Sequence, residues 1–509
     1  MHEIINISLS QSANHLNTHF FNAQESYLDY VKGVSNSKVE PDIFLKPTTN
    51  LLSNTVSYNP RALLWDATGG FGALGKYEYF ENADQQDIPK NVVKSQILPK
   101  IAKNEYQKAL DSTEDSSQEA DLNTCNTLYW SDYSRVIYEP KSYNCLQDWI
   151  YDPKKSTTKA ILKSTYNNND PQYVKFFENY EVGVEEFAKD NQGVDFLEDN
   201  FRNCLEKCDG LSGLNLIDEI DSSWGGFASE ILLEIKDEFL PKTSIFTWNI
   251  YENRGNSELG TLALLSRIRS TISILKNSSI FIPINLRPNN LPQFLKDKVD
   301  LNSLWHTSSL QSIIFESFNL LQCRRTNRVF MTDIENGLTM GTNRNLVSDI
   351  NLMISGINSD TSGMIDLTSS MFEEFDAKKN RVFSRSCISR SPHQLKDISF
   401  DHEKNLGKME NNKLLEYGTS SKGLVNYKTD IAFNTPSSFP QSIISKKDAL
   451  CCSLTTSTKV RFTFKNMKKF VSKTLKNDDR ESLIDELETY CQEYEWGYTE
   501  DDESDDDDY

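Results

Sequence analysis

The 509-residue sequence has no apolar run long enough to cross a bilayer. A transmembrane helix needs about 20 consecutive apolar residues, and the longest candidate is the short stretch at residues 280–286. The first 30 residues contain three acids and neither lysine nor arginine, whereas a transit peptide is rich in arginine and poor in acids. We therefore expect a protein that does not span a membrane and that meets any organelle from the cytosolic side.

Cysteine and histidine do not form the patterns of a metal site. The nine cysteines are scattered without a CxxC pair, and the six histidines show no metal-binding spacing. An odd number of unpatterned cysteines is typical of reduced cytosolic thiols rather than of a disulfide framework. Cys204 and Cys208 lie four residues apart, but no histidine accompanies them. Because no serine, histidine and aspartate constellation can be placed either, we predict no metal site and no catalytic residues.

Positive charge is scarce, since the formal net charge is -20. This balance argues against direct binding of nucleic acid through a basic surface. Residues 487–509 contain eleven acids and no lysine or arginine, and eight of these acids fall within residues 500–509. Such a block repels itself and stays solvated. We therefore expect residues 497–509 to be a disordered acidic tail that is dispensable for folding.

Strands and helices alternate through the first half of the chain. Apolar residues alternate with polar ones at Ile5, Ile7 and Leu9, and a helical spacing follows. The strand pattern recurs at residues 61–66, and strand is again followed by helix over residues 214–240. This order is typical of an α/β fold whose parallel sheet is covered by helices on both faces. We predict a first domain over residues 1–255, with surface insertions near 111–121 and 154–172.

The second half is less regular, and a chain of this length exceeds one hydrophobic core. We predict an α+β second domain over residues 256–375, a polar linker or disordered insertion over 376–427, a helical C-terminal region over 428–496 and the acidic tail. Residues 459–476 carry seven basic residues among aromatic ones. They could touch anionic lipid, pair with the acidic tail or form an exposed sheet edge, and we favour the last two, structural interpretations.

Three loops at the carboxyl ends of the predicted strands are candidates for binding a phosphate group. Ligands bind parallel sheets at that edge, and glycines let backbone N–H groups approach an anion at a helix N-terminus. Each candidate also has a structural interpretation, as a helix cap, a turn-forming acid or a plain strand-to-helix turn. The candidate nucleotide contacts are Gln11, Asn14, Asp66, Gly69, Gly70, Gly72, Gly225 and Gly226.

The third of these loops is poor in glycine. Only Gly225 and Gly226 are present, Trp224 precedes them, and Asp221 adds a negative charge. An acid beside phosphates requires a metal ion to neutralise it, so the sequence favours a capped turn over a triphosphate cradle at this loop.

The N-terminal half resembles tubulins. Residues 3–11 and 14–20 are similar to the start of tubulins, including the glutamine and asparagine of their first nucleotide loop, although Ser10 and Ala13 stand where tubulins have glycine. Residues 60–66 resemble the strand before another phosphate-side loop, residues 208–213 resemble the segment before the glycine signature, and DLNSL at residues 300–304 is a looser match. NPRALLWD at residues 59–66 with GGFG at 69–72, and WSDYS at 130–134 with YEP at 138–140, look more specifically like the Misato family.

The resemblance implies a tubulin-like factor that supports mitochondrial distribution, morphology and inheritance of the organelle and its DNA. It implies action by protein binding rather than as an enzyme, as a peripheral protein on the cytosolic face of the mitochondrial outer membrane and in the cytoplasm. Cytoskeletal proteins or a chaperonin are the candidate partner classes. The alternative is a GTP-binding assembly GTPase that forms tubulin-like polymers, with GTP as its cofactor. In such GTPases the next subunit supplies an acid, for which Asp333, Glu335 and Asp349 are candidates by location alone.

Overall fold

The computed structural model describes residues 2–28, 37–50, 55–74, 101–111, 121–155, 160–163, 176–355, 363–372, 380–390, 423–476 and 479–497. Most of the two predicted insertions and residues 498–509 of the acidic tail lie outside the described residues. None of the helices within these ranges is long and apolar enough to cross a membrane.

Fourteen strands are formed by the described residues. They are β1 (Glu3–Leu9), β2 (Leu45–Asn50), β3 (Thr55–Pro60), β4 (Ala62–Thr68), β5 (Tyr143–Tyr151), β6 (Ile161–Lys163), β7 (Leu211–Glu219), β8 (Ser244–Tyr251), β9 (Ile280–Asn285), β10 (Asp349–Ser355), β11 (Gly363–Asp366), β12 (Val382–Arg390), β13 (Leu424–Thr429) and β14 (Ala449–Ser457).

The α-helices of the same residues lie between and after these strands. They are α1 (Gln11–Glu25), α2 (Glu105–Asp111), α3 (Tyr180–Ala188), α4 (Gln192–Asp195), α5 (Arg202–Glu206), α6 (Ser223–Glu234), α7 (Thr261–Asn277), α8 (Gln293–Lys296), α9 (Leu304–Cys323), α10 (Met331–Thr339), α11 (Lys459–Thr474) and α12 (Asp479–Glu493).

The first sheet has seven strands in the order β6-β5-β4-β1-β7-β8-β9. All neighbouring strands are parallel except β6, which pairs with β5 in the antiparallel direction. The inner strands β1, β7 and β8 are buried along most or all of their length, as expected when helices cover both faces of a parallel sheet. Helices α1 and α9 pack together on one face, and α3, α6 and α7 pack on the other.

This sheet extends beyond the predicted domain boundary at residue 255. Strand β9 pairs with β8 through the contacts of Phe246 with Ile280 and Tyr251 with Asn285, and α7 packs on α6. The predicted boundary falls before β9 because the apolar run at residues 280–286 lacks the alternating pattern that predicts a strand. A strand buried on both faces reads as a continuous apolar run of this kind.

The second sheet has five strands in the order β11-β10-β14-β12-β13. Its pairs are antiparallel except for β12 with β13. Strand β12 and the start of β13 lie inside the predicted linker over 376–427, so the linker prediction is wrong for these described residues. Strand β14 comes from the predicted C-terminal region over 428–496, so that region adds a strand to the sheet before its two helices. The linker prediction failed because five of the nine residues of β12 are serine or arginine, yet seven of the nine are buried.

Helices α11 and α12 form an antiparallel hairpin after the second sheet, and both contact α7. The apolar face of α11 buries Val460, Phe464, Met467 and Val471 at helical spacing. Residues 459–474 are therefore a helix, and the predicted sheet edge is wrong at this position. Tyr494, just after α12, is fully buried, and its hydroxyl accepts a hydrogen bond from the Leu346 N–H at 2.7 Å.

A buried ion pair joins the two sheets through the long helix α9. Arg390 of β12 and Glu316 of α9 are each no more than 1% exposed, and the guanidinium donates directly to the carboxylate. Arg390 Nη2 also donates to the carbonyl of Ala432 at 2.8 Å and to the Tyr27 hydroxyl at 3.0 Å, and Arg390 Nε donates to the carbonyl of Ile431 at 3.1 Å. The Tyr27 hydroxyl in turn donates to Glu316 Oε1 at 2.8 Å.

We predict that Glu316→Gln strongly destabilises the protein. The substitution leaves the Arg390 guanidinium charged and unpaired in the interior, which typically costs about 3–5 kcal/mol in the free energy of unfolding. Urea denaturation measures this loss. The control is Glu486→Gln, which breaks the surface pair with Lys276 and should cost less than about 1 kcal/mol. Equal losses for the two variants would contradict the prediction.

Candidate functional site

Asp66, near the carboxyl end of β4, is the centre of the predicted nucleotide site. Its Oδ2 accepts hydrogen bonds from Gln11 Nε2 at 2.8 Å, Asn14 Nδ2 at 3.1 Å and Trp130 Nε1 at 3.1 Å. Its Oδ1 accepts from the Ala67 N–H at 2.8 Å. The structure therefore brings the predicted side chains together, but they use their donor groups on each other and not on an outside ligand.

The glycine-rich turn after β4 closes on Asp66. Gly69 and Gly72 have φ angles of 87° and 59°, which residues with a Cβ rarely adopt. A Cβ at Gly70 would overlap the Asp66 carboxylate, and the carbonyl of Gly70 accepts a hydrogen bond from Gln11 Nε2 at 2.5 Å. These three glycines let the turn approach the buried acid closely, so they support the network around Asp66 and not a phosphate group.

The start of α1 keeps a backbone conformation typical of glycine. Ser10, the N-cap of α1, has φ 111° and ψ 166°, a region that is costly for any residue with a Cβ. Its Oγ accepts a hydrogen bond from the Ala13 N–H at 3.2 Å. Asn14 is held on both ends of its amide, because it accepts from Ser8 Oγ at 2.6 Å and donates to the carbonyl of Trp65 at 2.9 Å. The predicted base-contacting asparagine is thus fixed within the protein.

The N-terminus of α6, where a phosphate would need free N–H groups, is occupied by protein atoms. Ser222 caps the helix by accepting from the Trp224 N–H at 3.3 Å through Oγ and from the Gly225 N–H at 3.2 Å through its carbonyl. The Ser223 N–H donates to the carbonyl of Phe177 at 3.2 Å. Trp224 is fully buried, and its ring lies 5.2 Å from that of Phe177.

Gly225 and Gly226 serve helix packing in this structure. A Cβ at Gly225 would overlap Ser270 on α7, and a Cβ at Gly226 would overlap the carbonyl of Tyr180 on α3. Glycine is required at both positions because two helices cross α6 close to its backbone. The structure therefore favours the plain capped turn at this loop over the triphosphate cradle.

Asp221, the acid of the same loop, is neutralised by an arginine. Arg267 of α7 forms two hydrogen bonds with it, from Nε to Oδ1 at 2.6 Å and from Nη2 to Oδ2 at 2.7 Å. The Glu252 N–H also donates to Asp221 Oδ2, at 2.8 Å. This bidentate pair supplies the positive charge for which the sequence suggested a metal ion. No group of three or more histidine, cysteine or acidic side chains suited to a metal occurs among the described residues.

The three acids predicted by location as candidates for hydrolysis are bound within the chain. Asp333 accepts from the Phe330 N–H at 2.9 Å and so caps α10. Glu335 accepts from Ser244 Oγ at 2.5 Å. Asp349 accepts from Ser348 Oγ at 2.6 Å and pairs with Lys459 at 3.4 Å. Each carboxylate has a structural partner, which supports the structural interpretation of these residues.

The side-chain donors predicted to contact a nucleotide are used within the protein. The phosphates of a nucleotide would need N–H donors, yet the amides of Gln11 and Asn14 and the first N–H groups of α6 already have acceptors. The one buried side-chain atom of Gln11 without a partner is Oε1, which is an acceptor. An acceptor cannot bind an unprotonated phosphate oxygen.

Two families match consecutive parts of this chain. The Misato Segment II tubulin-like domain matches residues 2–112, and the Tubulin domain matches residues 119–324. Protein DML1 of Debaryomyces hansenii is 34% identical over 511 residues, covering 99% of each chain. The chain belongs to the Misato family. Protein DML1 of Kluyveromyces lactis is 32% identical over 99% of each chain, and that of Yarrowia lipolytica is 30% identical over 100% of each.

Membership of the Misato family confirms the predicted α/β, tubulin-like fold with its second α+β domain and helical C-terminal region. The tubulin domains to which the second match belongs bind GTP in general, which makes GTP a reasonable ligand to test for this chain.

The site of this Misato protein includes residues that sequence reasoning did not place there. Trp130 donates to Asp66, and the Tyr133 hydroxyl lies 2.7 Å from His15 Nδ1 on α1. Both belong to the WSDY segment at residues 130–133, which the sequence marked as a family motif without a position. The sequence contained a signal for the contact between Trp130 and Asp66. A buried tryptophan needs an acceptor for its N–H, and Asp66, at the end of the NPRALLWD motif, is an acid in an otherwise apolar strand.

Buried acids give this site an unusual protonation state. Burial raises the pKa of Asp66 to about 7 and that of Glu219 to about 8, despite the hydrogen bond from Ser12 Oγ to Glu219 at 2.9 Å. Burial also raises the pKa of Asp218 well above its ordinary value, and neither of its oxygens has a partner. The folded protein therefore holds protons on carboxyl groups that are ionised in the unfolded chain.

We predict that the free energy of unfolding falls as pH rises from 6.5 to 8.0. A carboxyl group whose pKa is raised by folding stabilises the protein below its unfolded pKa, and this stability is lost as pH rises through the folded pKa. The pKa values of His15 and His19 are lowered by burial to about 3, so both rings are mostly neutral in this window. The expected loss is on the order of 1 kcal/mol for each of Asp66 and Glu219.

Urea denaturation at several pH values checks this prediction. Glu219→Gln and Asp66→Asn should each flatten the pH dependence, because the replaced group no longer titrates. Glu185→Gln, at an exposed position, is the control and should leave the slope unchanged. Wild-type stability that is constant or rises across the window would show that these acids are ionised in the folded protein.

Proposed function

We propose that this chain is a non-metabolic, tubulin-like protein-binding factor that supports the distribution, morphology and inheritance of mitochondria and their DNA. The observation that carries the binding part of the proposal is the closed network around Asp66. Gln11, Asn14, Trp130 and the Ala67 N–H all donate to this one buried carboxyl group, so the side-chain amides of the family's first nucleotide loop are used within the protein and not on a triphosphate.

GTP hydrolysis would also lack its hydrogen-bond donors at the start of α6. Tubulin-type turnover requires positioned charge stabilisation for the triphosphate, and losing one such donor typically costs on the order of 100-fold or more in rate. At the start of α6 the donors are used by Ser222 and Phe177, and Trp224 fills the space beside them. The tubulin-like architecture then serves as a rigid scaffold that presents surfaces to other proteins.

The mitochondrial part of the proposal follows from the Misato resemblance. The absence of a spanning helix in the described residues is compatible with peripheral attachment on the cytosolic face of the outer membrane and with a second pool in the cytoplasm. Cytoskeletal proteins and chaperonins are the partner classes to test first, and no direct nucleic-acid contact is proposed for a chain with a net charge of -20.

We predict that purified protein neither binds GTP tightly nor hydrolyses it in a concentration-dependent manner. Calorimetric titration with GTP and magnesium should give no measurable heat of binding, because the loops are closed by their own side chains. Phosphate release should not rise faster than linearly with protein concentration, and light scattering should not change when GTP is added. Tubulin measured in parallel is the positive control for all three readouts.

An assembly GTPase would give the opposite results. Turnover that climbs faster than linearly with protein concentration, together with GTP-dependent scattering, would overturn the proposal. A variant that opens the network separates binding from assembly: if Asp66→Ala gains GTP binding without scattering, the wild-type network is what excludes the nucleotide.

We predict that the protein is released from isolated mitochondria by washing with carbonate or high salt. Peripheral proteins are held by surface contacts, and ionic contacts weaken as salt shortens the range of electrostatic attraction. Immunoblotting of pellet and supernatant measures the release, and an integral outer-membrane protein provides the control that must stay in the pellet. Retention of this chain in the pellet after both washes would contradict peripheral attachment.

A further inference from the structure

Four exposed lysines form a stripe along α11. They are Lys465, Lys469 and Lys473, whose spacing of four residues places them on one side of the helix, and Lys476, which lies two residues beyond the end of the helix at Thr474. No acidic side chain among the described residues lies within ion-pair distance of any of the four. We call this set the lysine stripe.

The other basic residues around α11 have partners. Lys459 pairs with Asp349 at 3.4 Å, Arg461 with Glu495 at 2.8 Å, and Lys468 with Glu488 at 2.7 Å. The side of α11 that faces α12 is thus neutralised by acids from α12 and the residues after it. Among the seven basic residues of 459–476, the lysine stripe is the part without an ion pair to the described residues, in a chain whose net charge is -20.

The chain leaves the described region beside the start of α11. Since Glu495 pairs with Arg461, in the first turn of that helix, residue 497 lies near the end of the stripe that carries Lys465. The helical part of the stripe, from Lys465 to Lys473, spans about 12 Å at 1.5 Å per residue. Residues 498–509 could extend over about 40 Å, so they are long enough to run its full length.

We propose that the acidic tail, residues 498–509, docks on the lysine stripe of its own chain. The tail carries eight acids within residues 500–509, and the stripe presents four cations that lack partners in the described residues. Attachment through residue 497 gives the tail an effective concentration near the stripe on the order of millimolar. The contact is ionic and exposed to solvent, so salt weakens it.

An anionic membrane is the competing occupant, and the charge distribution disfavours it. A flat surface within a Debye length of the stripe, about 8–10 Å, would also approach the acids of α12 and the tail itself. Docking of the tail withholds the stripe from such surfaces and from acidic partners, which makes the tail a competitor that any partner must displace.

Amine labelling of the whole protein tests the proposal. The full-length chain and a chain ending at residue 497 are treated briefly with an amine-reactive reagent, and each lysine is quantified by mass spectrometry. Removing the tail should raise the labelling rate of the stripe about twofold or more, as expected when a millimolar effective concentration half-saturates a weak ionic site. High salt should produce the same rise in the full-length chain and no further rise in the truncated one.

Matched controls identify the cause. Lys242 and Lys298 are exposed and lie outside the two C-terminal helices, so their labelling should not change. A tail with every Asp changed to Asn and every Glu to Gln should behave like the deletion, which separates charge from simple coverage. Unchanged labelling of the stripe in the truncated chain would overturn the proposal. Protection of the stripe by phosphatidylserine vesicles, equal with and without the tail, would assign the surface to a membrane instead.

Discussion

The ion pair of Arg390 and Glu316 links two sheets that share no strand, inside an apolar cluster that contains residues of both. Glu316 lies on α9, which packs with α1 against the first sheet, and Arg390 ends β12 in the second. Burying both charges is expensive, and the pair persists because Tyr27 and the carbonyls of Ile431 and Ala432 satisfy the remaining donors and acceptors. The pair therefore constrains how β12 lies against α9, since separating the two side chains would leave a charge unpaired in the interior.

The need of buried polar groups for hydrogen-bond partners also explains why the side chains of the loops after β1 and β4 bind one another. A nucleotide site must hold donors ready for an absent ligand, and unsatisfied buried donors cost free energy. Here the donors of Gln11, Asn14 and Trp130 converge on Asp66, and the pKa of that carboxyl group is still raised by burial. The carboxyl group and the donors around it satisfy one another's hydrogen bonds. This network can stabilise the meeting of β1 and β4 without any cofactor.

The sequence predicted well those features that depend on local patterns. The alternation of strands and helices placed β1, β4 and β7 in a parallel sheet, and the first two of the three predicted loops contain residues that meet around Asp66. It failed where an element depends on distant contacts. Strand β12 is rich in serine and arginine and so resembled a linker, yet it is buried because β14 and β13 lie on either side of it. The packing role of Gly225 and Gly226 was equally hidden, since it depends on the crossing of α3 and α7 over α6.

The geometry of Ser10 shows how a residue with a side chain occupies a loop path that suits glycine. Its φ of 111° belongs to a backbone path that glycine follows without strain, and tubulins have glycine at this position. The loop has thus kept the path while gaining a side chain whose Oγ caps α1 through Ala13. The cost of the strained residue is offset locally by that cap and by the hydrogen bonds of Asn14 with Ser8 and Trp65. These contacts fix the first loop through the protein's own side chains and backbone.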